Sequence, residues 1–106
     1  TPESAKAAAE AVEAVREAIL RSAREVWENP ELSLHEEVSS EIHLRELREA
    51  GFTIVSTGTS GIPTAFLAEW SQGEGGPKIG FLPEYDALPA LGNAAEPRQT
   101  PGPTGV

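Results

Sequence analysis

The run Glu49-Ala50-Gly51-Phe52-Thr53-Ile54-Val55 marks the point where the sequence changes from helical to β-type composition. Gly51 stands where a left-handed helix C-cap belongs. The four residues after it are rich in the aromatic and β-branched types that favour strands. Helical sequence before this junction and strand-like sequence after it predict an α/β fold, with helices packed on the first strands of a mixed sheet.

Two helices are predicted before the junction. From Glu3 to Glu28 the chain contains neither Gly nor Pro, and its Ala, Glu and Arg content favours one long helix over residues 1–28. Pro30 ends it, because the residue before a proline is pushed away from helical angles. The second helix, over residues 33–50, is predicted to begin at a capping box formed by Ser33 and Glu36. A narrow apolar stripe follows the first helix: Val12, Val15, Ile19, Ala23 and Val26.

Strands and turns are predicted over residues 52–91, with strands at 52–55, 62–70 and 78–82 and a Gly-rich turn at 71–77. The run Ile79-Gly80-Phe81-Leu82 is nearly all apolar, which predicts a strand buried on both faces. Residues 92–106 are rich in Gly and Pro and are predicted to form a loop.

Composition limits the possible partners. The chain has 106 residues, of which 17 are acidic and 8 basic, giving a formal charge of −9. This charge excludes nucleic acid, whose phosphates need a basic surface, and disfavours an anionic membrane. No stretch approaches the roughly 20 apolar residues that span a bilayer. Without cysteine, these residues form no disulfide, thiolate nucleophile or cysteine-ligated metal site.

The start of the chain carries neither an initiator methionine nor the basic and apolar regions of a secretory signal. We therefore expect a processed chain, or a piece of a longer cytoplasmic protein. Much of the 39% hydrophobic content is alanine, which buries little area. A self-sufficient core is accordingly not expected in a chain of this size.

Asp86 is the only aspartate of the chain and follows the predicted strand at 78–82 within Glu84-Tyr85-Asp86. Strand ends in α/β sheets are where ligands usually bind. A short carboxylate there suits a metal ion, or the imidazole that holds one. The alternative is a turn residue that caps Ala87-Leu88, and the residues alone leave both open.

The two histidines do not predict a metal site. His35 and His43 are eight residues apart, which is about 12 Å along a helix. That separation is too large for one metal, whose histidine nitrogens lie about 2.0–2.1 Å away. We predict surface or helix-capping roles for both, and a solvated helix face for Glu36, Glu37 and Glu41. Neither a phosphate-binding loop nor a G-x-S-x-G elbow is present.

Four separated runs resemble, in order, motifs from the amino-terminal part of the M20 metallopeptidases, a family of metal-dependent aminoacylases and amidohydrolases. The last is similar to the strand and turn that lead into the metal site of aminobenzoyl-glutamate hydrolase-like and acylase-1-like-2 members. The runs are Trp27-Glu28-Asn29-Pro30-Glu31-Leu32-Ser33 with Glu36-Glu37 after it, Glu49-Ala50-Gly51-Phe52-Thr53-Ile54, Gly61-Ile62-Pro63-Thr64-Ala65-Phe66, and Ile79-Gly80-Phe81-Leu82-Pro83-Glu84-Tyr85-Asp86-Ala87-Leu88-Pro89.

The resemblance implies a catalytic α/β domain of which residues 1–106 are the amino-terminal portion, with an inserted lid domain that usually makes a homodimer. It implies two zinc or manganese ions, a glutamate as general base, and an N-acyl amino acid such as aminobenzoyl-glutamate, or a dipeptide, as substrate. Asp86 matches the aspartate that backs a metal-binding histidine. Glu84 lies where several branches place a histidine ligand, which this sequence lacks.

Members without that histidine take the ligand from a downstream G-H-x-C-G-H motif, which is absent here. No metal ligand is therefore expected within these residues, and the segment alone should be inactive. Two alternatives remain: a dipeptidase of the same family, or, if 106 residues are the whole product, a non-catalytic acidic module that binds a partner through its Ala-rich helix stripe.

Overall fold

The computed structural model describes all 106 residues as three helices followed by a two-stranded antiparallel sheet. This confirms the predicted mixture of helices and strands and their order. A short 3-10 turn at Thr59–Gly61 separates the strands. The elements are α1 (Pro2–Ala14), α2 (Arg16–Glu28), α3 (Glu37–Glu49), β1 (Thr53–Thr57) and β2 (Phe66–Glu69).

The single helix predicted over residues 1–28 is divided at Val15, which has φ −109° and ψ 8°. Its N–H donates to the carbonyl of Val12, three residues back, and the helical pattern resumes where Ile19 N–H donates to the Val15 carbonyl. No residue of α1 is buried. No buried packing therefore holds α1 in line with α2, and the exposed ion pair between Glu13 and Arg16, at 2.8 Å, is the side-chain contact that spans the break.

The predicted capping box at Ser33 and Glu36 is wrong, because Glu31 takes its place. The Glu31 carboxylate accepts hydrogen bonds from the N–H groups of Val38 at 2.9 Å and Ser39 at 2.7 Å, and from the Ser39 hydroxyl at 2.7 Å. These are the N–H groups that a helix start leaves without partners, and an anion also suits the positive end of the helix dipole. The second helix therefore begins four residues later than predicted.

The end of α3 follows the prediction closely. Gly51 has φ 89°, in the left-handed region. Its N–H donates to the Arg48 carbonyl at 3.0 Å, and Phe52 N–H donates to the Leu47 carbonyl at 2.9 Å. This pair of bonds is the Schellman motif, and it turns the chain directly into β1.

The two strands pair from Thr53 opposite Glu69 to Thr57 opposite Phe66, with an irregularity after Ile54. β2 lies within the strand predicted at 62–70, whereas β1 overlaps the strand predicted at 52–55 and extends two residues beyond it, to Thr57. The loop predicted at 92–106 contains no helix or strand.

The predicted third strand at 78–82 is not formed. Phe81 is 87% exposed and Leu82 99%, and the segment pairs with no other strand. An apolar run becomes a doubly buried strand only where neighbours pair its backbone and cover both faces, and these residues provide no such neighbours. The prediction of a buried strand is therefore wrong for this chain.

The apolar core is small. Only two hydrophobic residues are buried, Ile42 at 5% exposure and Leu44 at 4%, both on α3. The radius of gyration is 16.4 Å, against about 13 Å for a typical domain of this length. None of the three helices combines the length and apolar character needed to cross a membrane.

Ion pairs connect α2 to α3. Arg21 reaches Glu46 at 3.0 Å, and Arg45 reaches Glu25 at 2.9 Å. Their side chains are 20–50% exposed, so solvent still screens both pairs and each is expected to contribute about 1 kcal/mol or less to stability.

Candidate functional site

The stretch that carries Asp86 lies beside the run at residues 27–33. Ala87 N–H donates to the Glu31 carbonyl at 2.7 Å, and Leu32 and Ala87 form a parallel bridge. The two motifs are thus in direct contact, through residues that are more than 50 positions apart in sequence.

Tyr85 connects the same stretch to two further elements. Its hydroxyl donates to the carbonyl of Thr64. Its ring lies 5.1 Å from the His43 ring on α3, and 6.2 Å from the Phe66 ring at the start of β2, centroid to centroid. Burial and the charge of Glu36 raise the pKa of Tyr85, so the hydroxyl keeps its proton and acts as a donor.

Thr64 also contacts the start of α3. Its hydroxyl donates to Glu36 Oε2 at 2.5 Å, and the exposed fraction is 8% for Thr64 and 7% for Glu36. Burial alone would raise the pKa of Glu36, but the hydrogen bond from Thr64, backbone N–H groups and the charge of His35 outweigh it and lower that pKa. The buried carboxylate is therefore ionised near neutral pH. Its predicted place on a solvated helix face is wrong, whereas Glu37 and Glu41 are exposed as predicted.

Asp86 itself is exposed, and its carboxylate makes no hydrogen bond within the chain. Its neighbours on both sides are held: Tyr85 through its side chain and Ala87 through its N–H. No hydrogen bond therefore supports the alternative interpretation, in which Asp86 caps Ala87-Leu88. Glu84 is also exposed.

The histidines have different environments. His35 is on the surface, as predicted. His43 is half-buried against Tyr85, which corrects the prediction of a surface or capping role. Burial lowers the pKa of His43, and the nearby charge of Glu46 only partly offsets this.

No group of three or more histidine, aspartate or glutamate side chains is placed to hold a metal ion. The side chains present thus do not fit a complete metal site.

The sequence patterns did not single out three residues that organise this region: Glu31, Thr64 and Tyr85. Each of them forms its hydrogen bonds with a residue distant in sequence or through a backbone group. Patterns of residue spacing along the chain do not predict such contacts. All three lie inside the runs that resemble family motifs, so that resemblance was the one available signal.

Comparison with known proteins gives three relatives. The chain is 39% identical over 100 residues to a p-aminobenzoyl-glutamate hydrolase subunit of Escherichia coli (strain K12), covering 91% of this chain and 20% of that protein. It is 39% identical over 95 residues to Xaa-Arg dipeptidase of Mus musculus, covering 82% and 22%. The Homo sapiens Xaa-Arg dipeptidase is 32% identical over 96 residues, covering 81% and 22%.

The chain therefore spans about a fifth of the length of the curated relatives it matches. No family model matches the chain, and no solved structure matches it.

Proposed function

The chain is homologous to the amino-terminal part of M20-family hydrolases, at 32–39% identity over most of its length, and from that premise we propose that it forms part of the catalytic domain of a metal-dependent amidohydrolase. The proposed reaction is hydrolysis of the amide bond of an N-acyl amino acid such as aminobenzoyl-glutamate. In this proposal, the full-length protein contains these 106 residues and the rest of that catalytic domain.

One observation carries the proposal beyond sequence similarity. The runs at 27–33, 61–66 and 79–89 meet in space around Tyr85 and Asp86, although they are far apart in the chain. They meet through hydrogen bonds rather than through a large apolar core. Such convergence is expected if these runs jointly place a functional residue.

Asp86 is the residue that this arrangement presents, with its carboxylate free. We assign it the role of accepting a hydrogen bond from a metal-binding histidine supplied by another part of the catalytic domain. A carboxylate in this position fixes the tautomer and orientation of the imidazole. The two divalent ions, zinc or manganese, would be held by residues outside the 106, and a homodimer and a cytoplasmic location also remain predictions.

A dipeptidase is the second candidate. It is favoured by the similarity to the two Xaa-Arg dipeptidases, one of which is as identical to this chain as the aminobenzoyl-glutamate hydrolase subunit is. The role assigned to Asp86 is the same in both candidates, so the residues around it do not discriminate between the two.

The proposal is tested by assaying the purified full-length protein on aminobenzoyl-glutamate and on a dipeptide ending in arginine. We expect the higher kcat/KM on aminobenzoyl-glutamate, loss of activity with a chelator, and recovery with zinc or manganese. A clear preference for the dipeptide would favour the second candidate. Failure to hydrolyse either substrate with metal present would contradict both, and would favour the acidic binding module.

A further inference from the structure

We propose that Glu36 and Thr64 are positioning residues that hold Asp86 in place through Tyr85. This inference rests on the proposed function, since it gives the orientation of Asp86 a catalytic consequence. It assigns a role to a buried carboxylate that contacts neither Asp86 nor any group expected to react.

Thr64 links Glu36 to Tyr85 because its side-chain hydroxyl and its backbone carbonyl each form a hydrogen bond. Its hydroxyl donates to Glu36 just before α3, and its carbonyl accepts from the hydroxyl of Tyr85. The Glu36 and Thr64 side chains are both buried, so water does not replace the bond between them when it is lost. A change at Glu36 is therefore transmitted to the backbone of Thr64 and from there to Tyr85.

Tyr85 is restrained in more than one way. Its ring lies against the rings of His43 and Phe66, which limits its rotation, while the bond to Thr64 fixes the direction of its hydroxyl. On the other side of Asp86, the N–H of Ala87 is held by the Glu31 carbonyl. Since each residue has only two soft backbone dihedrals, fixing both neighbours limits the direction of the Asp86 Cα–Cβ bond, and the carboxylate then moves only among its side-chain rotamers.

The same arrangement joins Asp86 to the start of α3. The carboxylate of Glu31 binds the first N–H groups of that helix, while its carbonyl holds Ala87. Glu36 lies immediately before the helix. The helix start and the turn at Asp86 therefore behave as one unit, and functional groups tolerate displacements of only about 0.5 Å.

The test uses hydroxyl deletions in the full-length protein. Tyr85→Phe keeps the ring and removes the hydrogen bond. We expect kcat to fall about two- to tenfold, the effect of one neutral hydrogen bond, with KM and the thermal midpoint nearly unchanged. Thr64→Val should lower kcat and also the thermal midpoint, because it leaves the buried Glu36 carboxylate without its partner, and Thr64→Ser, which restores the hydroxyl, should recover both.

Ser56→Ala is the matched control, because it removes another part-buried hydroxyl bond, to Thr59, away from Tyr85. It should leave kcat unchanged. Equal losses in Ser56→Ala and Tyr85→Phe would show a general effect on the fold and would overturn the inference. If Thr64→Val does not fold, Tyr85→Phe and Thr64→Ser still decide the question.

A double-mutant cycle separates this inference from the proposed function. If Tyr85 acts through Asp86, adding Tyr85→Phe to Asp86→Ala should cause no further loss of kcat. Additive losses would overturn the inference. Wild-type activity in Asp86→Ala would instead overturn the role proposed for Asp86, whereas impaired Asp86→Ala with unaffected Tyr85→Phe would overturn only the positioning role.

Discussion

Thr64 donates its hydroxyl hydrogen to Glu36 at 2.5 Å, and this bond closes a separation of 28 residues in the chain. Of the seven buried residues, five are polar: Ser22, Glu36, Ser39, Ser40 and Thr64. The parts of this chain that resemble family motifs are thus held together by buried polar contacts more than by apolar packing. Such contacts are directional, which supports the proposal that this region places the Asp86 carboxylate.

Glu31 should be the main stabilising residue at the start of α3. Replacing it with alanine removes the partner of the Val38 and Ser39 N–H groups, and caps of this kind contribute about 0.5–2 kcal/mol. We expect faster amide hydrogen exchange at those two positions. Glu41→Ala is the control, since Glu41 is exposed on the same helix and has no ion pair. Equal exchange rates in the two variants would contradict the assignment.

Acid should weaken the same region. Burial raises the pKa of Glu31, but the hydrogen bonds from Val38 and Ser39 together lower it by a larger amount. The pKa of Glu31 in the folded state therefore lies below its ordinary value of 4.5, as the pKa of Glu36 also does. A carboxyl whose folded pKa is depressed stabilises the fold fully above its unfolded pKa and loses that contribution as pH falls through the folded pKa.

The pH effect can be measured as the urea midpoint of α3 unfolding from pH 7 to pH 3. The midpoint should be flat at the upper end and should fall below about pH 4.5, where carboxyl groups begin to protonate. Glu31→Gln should start lower and show a shallower decline. A variant that declines as steeply as the wild type would show that Glu31 does not contribute.

Gly51 should be intolerant of a side chain. It adopts φ 89° in the Schellman motif, and a left-handed conformation costs a non-glycine residue about 1–2 kcal/mol. Gly51→Ala should lower the free energy of unfolding by that amount. Gly80→Ala is the control, because a Cβ there meets open space and the residue is not in the left-handed region. Comparable destabilisation by both changes would contradict this account of the helix end.

The exposed run at 79–82 should dominate the solution behaviour of the 106-residue chain. We expect the chain alone to bind a hydrophobic dye and to unfold with low cooperativity, because it exposes large apolar side chains and buries few. The double change Phe81→Ser and Leu82→Ser should reduce dye binding without changing helix content by circular dichroism. Leu82→Ile is the control that keeps the apolar surface. A sharp two-state melt of the monomer would contradict this expectation.

The features predicted correctly from sequence are those decided by neighbouring residues. The end of α3 depends on Gly51 adopting a backbone conformation that other residues avoid, and the end of α2 at Glu28 depends on Pro30. Both constraints act over a few residues and are visible in the sequence itself.

The features that were missed depend on distant partners. Glu36 was expected to cap the helix with Ser33, but Thr64 binds its carboxylate and Glu31 caps the helix instead. The apolar run at 79–82 could not become a strand without neighbours. Asp86 was identified as a candidate because of its residue type and its place after a predicted strand, whereas the contacts that hold it could be seen only in the structure.

The most direct test of the role proposed for Asp86 is to replace it with alanine in the full-length protein and to measure turnover of aminobenzoyl-glutamate, metal content and thermal midpoint. Loss of a carboxylate that orients a metal-binding histidine should lower turnover or metal affinity about 10–100-fold and leave the midpoint nearly unchanged. Glu74→Ala, which removes an exposed carboxylate from the Gly-rich turn, should leave both properties intact. Wild-type turnover and metal content in Asp86→Ala would contradict the central claim.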